Sequence, residues 1–250
     1  AAPCVSDGGF VVCNAKDLHV VAGHAENSTG NAGRADFPCA GGDGFVLYGA
    51  AGVVVDGVPA GLELCEEDIQ RYLNRRKPGQ SVYTTPRKED DTVEILSGVF
   101  EGKTTGTPVS MIVYNTSQRS KDYSEIKEYY RPGHADYTFD QKYGFRDYTG
   151  GGRSSGRETI GRVAGGAIAC KILEQMGIEV CAYTKQIGDI EIEYDNFDKE
   201  YISKSTLSMP DKEAEAKAKE YLESLIAQKN SSGGIIECIV KGMKPGKGEP

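Results

Sequence analysis

A chain of 250 residues with 38% hydrophobic content carries enough apolar side chain to bury one substantial core or two small ones. Its 37 acidic residues against 29 basic ones give a formal charge of −8, which argues against general nucleic-acid binding, because a phosphate backbone calls for a basic face. No apolar run is long enough to span a bilayer, and the opening residues lack the basic-then-apolar pattern of a secretory signal. The seven cysteines are odd in number, scattered, and never spaced as a metal-binding pair. They are expected to be reduced thiols of a cytoplasmic protein, with neither a disulfide framework nor a metal site.

Residues 1–51 are rich in Gly and Ala, poor in Lys and Glu, and show little periodicity, so they read as a segment apart from 52–250. From residue 52 the signals sharpen. A strand is expected at 53–58, a turn at 59–61 and a helix at about 66–76, on which Ile69, Tyr72 and Leu73 share the core-facing side. Pro78-Gly79 stops that helix. Alternating β-branched residues predict strands at 92–101 and 108–115, forming a hairpin across the turn-prone 102–106. The polar stretch 116–152 reads as a long irregular connection, ordered by its tyrosines.

The clearest helix spans about 156–176. Ser155 and Glu158 match a capping box, Ile160, Val163, Ala164, Ala167, Ile168 and Ile172 trace an apolar stripe, and Gly177 occupies the C-cap position. Gly161, Gly165 and Gly166 inside it suggest that another backbone packs closely there. A strand at 178–184, a helix at 211–229 burying Leu222, Leu225 and Ile226, and a strand at 235–240 complete the pattern. This succession is α+β.

The basic residues cluster despite the acidic total, one group spanning Arg75, Arg76, Lys77, Arg87 and Lys88 and another Arg131, Arg146, Arg153, Arg157 and Arg162. An acidic protein with concentrated arginines suits a small anionic ligand. The string GGGRSSGRET (150–159) feeds glycines into a helix start, where backbone N–H groups and the positive end of the helix dipole favour an anion. Arg153 and Arg157 add bidentate donors, although the same glycines also suit a flexible loop with solvated arginines. His134 lies in RPGHADYT (131–138) and reads either as a structural residue or as a proton donor, with Asp136 orienting its ring or capping a turn.

Taken together, VVDGVPAG (54–61), RRKPGQ (75–80), LSGVFEGKTTGT (96–107), NTSQRSKDY (115–123), RPGHADYT, QKYGFRD (141–147) and GGGRSSGRET closely resemble the chorismate synthase family, in order and over about four-fifths of the chain. The resemblance implies a β-α-β sandwich of the chorismate synthase type, incomplete at its C-terminal end. It implies a lyase that turns 5-enolpyruvylshikimate 3-phosphate into chorismate by 1,4-elimination of phosphate, with reduced FMN that is not consumed overall. NADPH or an external reductase supplies the reducing equivalents, and the family is typically a homotetramer.

By position in those motifs, Arg76, Arg131 and Arg157 match arginines that hold the substrate's phosphate and carboxylates. Arg153, Ser154 and Ser155 match the flavin-binding stretch, and His134 matches the histidine held to protonate the reduced flavin. Departures accompany the match. Leu47 stands where the family places a second histidine, with His24 a substitute only under another register, and Val82 stands where many members carry an arginine. The family continues for another hundred or so residues with a catalytic aspartate. Residues 1–51 are therefore expected to be misread or fused sequence, and the alternative to an active lyase is a flavin- and phosphate-binding fragment without turnover.

Overall fold

The structure, a computed structural model, describes residues 19–21, 41–47, 50–84, 89–115, 125–148 and 156–245. In chain order these form β1 (His19–Val21), β2 (Gly41–Leu47), β3 (Ala50–Val55), α1 (Glu66–Arg76), β4 (Val93–Ser97), β5 (Val99–Phe100), β6 (Lys103–Thr104), β7 (Val109–Tyr114), α2 (Asp136–Tyr143) and α3 (Thr159–Gln175). There follow β8 (Glu179–Ile187), β9 (Ile190–Glu191), α4 (Lys199–Ile202), α5 (Lys212–Ala227) and β10 (Gly234–Lys241). The architecture is α+β. The described residues divide into two compact units, the second drawn from Gly79–Pro86 and Leu173–Met243 and the first from the rest.

The first unit is built on a five-stranded sheet in the order β1-β2-β3-β7-β4, antiparallel except for the β1–β2 pair. Side chains of a strand alternate between faces, so Ala51, Val53 and Val55 of β3 share one face, as do Val109, Met111 and Val113 of β7. All six are buried in one core with Ile69 and Leu73 of α1 and Ile160, Ala164, Ala167 and Ile168 of α3. Tyr72 packs at the edge of that core, which completes the expected face of α1.

Local chemistry explains where these elements stop and where the sequence reading needs correction. The strand expected at 53–58 begins at Ala50, because Ala50 already pairs with Leu47 and Tyr114, and it ends before Gly57, whose φ of +76° turns the chain. The single strand expected at 92–101 is broken at Gly98, which has φ +82° and whose missing Cβ would lie 2.6 Å from the Pro108 carbonyl oxygen. β4 does pair antiparallel with β7 as expected, but the connection carries a separate β5–β6 ribbon. The stretch 116–152 is not wholly irregular, for α2 forms within it and closes on Gly144 in the left-handed conformation. In α3, Gly161 and Gly165 are buried as close packing requires, whereas a Cβ on Gly166 would meet nothing within 4 Å.

The second unit is a three-stranded antiparallel sheet, β10-β8-β9, over a core of Tyr183, Ile192, Ile202, Met209, Ala214 and Ala218. Asp211 caps α5 by accepting from the N–H groups of Glu213 and Ala214. The buried side of α5 carries Ala214, Glu215, Ala218 and Leu225 rather than the full stripe of leucine and isoleucine, and Ile226 is 54% exposed. Small alanines let the helix lie close to its neighbours. Glu215 tolerates burial because it accepts from the Tyr201 hydroxyl at 2.5 Å, the Thr206 N–H at 2.8 Å and Lys219 at 2.9 Å. The Tyr201 hydroxyl is pushed up to about 12 by that carboxylate.

Candidate functional site

Arg76 ends α1, in the last turn of a helix whose first turn is acidic, so its charge complements the dipole. The side chain turns onto neighbouring segments of the chain and keeps 21% of its surface exposed. Its Nη1 donates to Asp91 Oδ2 at 3.1 Å, its Nε to the Thr159 hydroxyl at 3.0 Å and its Nη2 to the Gly156 carbonyl at 3.0 Å. Arg157 lies in the 3-10 turn Gly156–Glu158 that leads into α3. Its Nη2 donates to Asp91 Oδ1 at 2.9 Å, and Nη1 pairs with Glu89. Three segments distant in sequence therefore meet at one carboxylate.

Asp91 has no exposed side-chain surface. Burial leaves its carboxyl raised, a shift that the neighbouring Arg76 guanidinium only partly offsets. The two arginine side chains keep 21% and 15% of their surface exposed. Side-by-side guanidiniums repel in a low dielectric unless an anion lies between them; Asp91 fills that role from beneath.

A second cluster has the same construction. Arg131 grips Asp136 bidentately, Nε to Oδ2 at 2.8 Å and Nη2 to Oδ1 at 2.9 Å, and its backbone N–H donates to Oδ2 at 2.9 Å. Arg146 adds Nη1 to Asp136 Oδ2 at 3.3 Å, contacts Asp140 at 3.3 Å, and donates through Nη2 to the carbonyls of Lys127 and Tyr129. Hydrogen bonds from Arg131 hold the Asp136 carboxyl well below the usual carboxylate range. Asp136 thus serves the two arginines, rather than orienting the His134 ring or simply capping a turn.

His134 sits on the exposed turn between Arg131 and Asp136, its backbone N–H bonded to the Arg131 carbonyl at 3.3 Å and its Nδ1 3.3 Å from the Pro132 carbonyl oxygen. The bidentate pair fixes both ends of this six-residue loop. Of the residues expected to bind ligand, Arg76 and Arg157 are brought together on Asp91, Arg131 and His134 share the Asp136 loop, and Arg153, Ser154 and Ser155 lie outside the described residues, as does His24. Val82 is 80% exposed in the second unit. Asp91 and Glu89 were missed by sequence reasoning. Arg146, counted there only as part of a basic cluster, proves to be 9% exposed and shared between two carboxylates.

The sequence pattern of the chorismate synthase family matches residues 48–250. The chain is 68% identical over 199 residues to a chorismate synthase of Agathobacter rectalis and 67% identical over 199 residues to one of Lachnospira eligens, in each case covering 80% of this chain and 54% of the relative. A crystal structure of chorismate synthase superposes with a TM-score of 0.61 at 29% identity, over 80% of this chain and 56% of that one. The chain spans just over half the length of the curated relatives it matches.

Proposed function

The chain belongs to the chorismate synthase family, and from that premise we propose that it forms part of a lyase converting 5-enolpyruvylshikimate 3-phosphate to chorismate and phosphate. The reaction is a 1,4-elimination and the last common step toward the aromatic amino acids. The observation that carries this reading is the pair of arginine clusters, each anchored on a buried aspartate, in a chain whose total charge is acidic. A substrate with one phosphate and two carboxylates needs several fixed cations, and guanidiniums whose stems are already ordered lose little entropy on binding it. Arg76 and Arg157 supply one pair of cations, and Arg131 a third cation.

Reduced FMN is the cofactor this reading requires. Arg153, Ser154 and Ser155 would hold it, and the chain immediately beyond them suits such a group. The turn at Gly156–Glu158 opens a helix of 17 residues, whose first N–H groups favour a phosphate. When bound, reduced FMN supplies the electron density that eases departure of the substrate's phosphate, and it is not consumed overall. His134 moves the proton. With its Nδ1 facing the Pro132 carbonyl oxygen, the tautomer protonated at Nδ1 is favoured and Nε2 is the atom that exchanges. The same reading extends to a homotetramer working in the cytoplasm, its flavin reduced by NADPH or by an external reductase; among the described residues, no helix is long and apolar enough to cross a membrane.

The decisive assay supplies 5-enolpyruvylshikimate 3-phosphate and reduced FMN to this chain without oxygen and measures phosphate. Catalytic release is expected. Binding of both small molecules with no release would instead establish the alternative, a flavin- and phosphate-binding fragment.

A further inference from the structure

Asp91 stands out as a residue that no ligand-binding motif singles out and that yet receives two of the arginines read as substrate ligands. Its two carboxylate oxygens are divided between them, Oδ2 to Arg76 and Oδ1 to Arg157. The backbone around it is unusual, with φ +46° at a non-glycine residue, a conformation that costs free energy and persists only where surrounding contacts impose it. Those contacts are visible. Gln70 of α1 donates from Nε2 to the Asp91 carbonyl at 3.2 Å and accepts from the Val93 N–H at 3.0 Å, which ties the segment between α1 and β4.

Each guanidinium is further restrained on its own side, Arg76 by Thr159 and Gly156 and Arg157 by Glu89. Arg76 therefore has three of its five N–H donors engaged by described residues, and its plane is set. A rigid carboxylate bridging two restrained cations fixes the distance between them. Solvated arginines on separate elements would not hold such a spacing.

We propose that Asp91 is a positioning residue whose buried carboxylate sets the separation of the Arg76 and Arg157 guanidiniums, so that the two together grip one anionic group of the substrate. The role rests on the reading of those arginines as substrate ligands. Asp91 touches no substrate itself; it acts through the pair. Spacing, and not charge alone, is what it contributes, and that distinction is measurable.

The test compares the wild-type chain with Asp91→Glu and Asp91→Asn. Glu keeps the charge and moves the oxygens by one methylene, whereas Asn keeps the shape and removes the charge. Titration with 5-enolpyruvylshikimate 3-phosphate should show binding weakened by about tenfold or more in both, since small misplacement of a binding group is costly. Asp91→Glu should fold with a melting temperature lowered by the added methylene in a site with no exposed side-chain surface, and the Nε–H resonances of Arg76 and Arg157 should shift together. If Asp91→Glu binds like wild type, the proposal is overturned, because a carboxylate that only neutralises charge tolerates that change. If Asp91→Asn does not fold, Asp91→Glu carries the test alone. A wild-type chain that binds no 5-enolpyruvylshikimate 3-phosphate would defeat the functional reading instead; the arginine resonances then decide Asp91's role, joint movement upholding it and unmoved signals rejecting it.

Discussion

Asp136 illustrates how much one buried carboxylate can organise. It accepts two side-chain N–H groups and one backbone N–H from Arg131, together with a further contact from Arg146, while only 2% of its side chain is exposed. Removing the charge leaves two cations facing an uncharged group in a dry site, so Asp136→Asn should cost about 3 kcal/mol in urea unfolding. The pH dependence is set by the direction of the shift. A carboxyl lowered in the folded state stabilises fully above its unfolded value of about 4 and loses that contribution as the pH falls below it. Acid titration of wild type should therefore show a loss of stability below that point, and the loss should be smaller in Asp136→Asn. His134 makes a different case, since its ring is exposed and its Nδ1 meets the Pro132 carbonyl. His134→Ala should lower turnover by about a hundredfold and leave substrate affinity near wild type. A large loss of affinity would mean that the ring positions substrate.

Among the elements, glycines separate the positions that need a missing side chain from those that tolerate one. Gly98 has a left-handed backbone and the Pro108 carbonyl at van der Waals distance or less from any added methyl, so Gly98→Ala should destabilise by about 2 kcal/mol or more. Gly166, inside α3 with open space where a methyl would go, should gain about 0.5–1 kcal/mol as alanine. Chemical unfolding of the two variants checks both signs. Periodicity made α1, α3 and α5 legible in the sequence, because a stripe such as Ile160, Ala164, Ala167 and Ile168 reports the buried face directly. It failed where tertiary contacts decide. Ile226 faces outward because Ala214 and Ala218 set the packed side of α5, and Gly98 breaks a strand because of a neighbour ten residues away. The arginine clusters were visible from composition, but Asp91 was not, for nothing local announces that a loop aspartate will meet arginines 15 residues before and 66 after it.

At the scale of the whole molecule, an acidic chain keeps these arginines in pairs on buried aspartates, which orders their guanidiniums without making the surface basic. The core under the five-stranded sheet, which packs α1 and α3, supports the Arg76–Asp91–Arg157 cluster. The support is as necessary as the charge: Leu73→Ala, at a side chain of 0% exposure beside the Arg76 turn, should cost about 2–5 kcal/mol and weaken ligand binding with it. The central claim, that these paired arginines form the anion site of a chorismate synthase, is tested most directly by calorimetric titration of 5-enolpyruvylshikimate 3-phosphate into the chain at increasing salt. Saturable binding to one site per chain that weakens steeply as salt is added is the predicted result. Absence of saturable binding, or binding indifferent to salt, would contradict it.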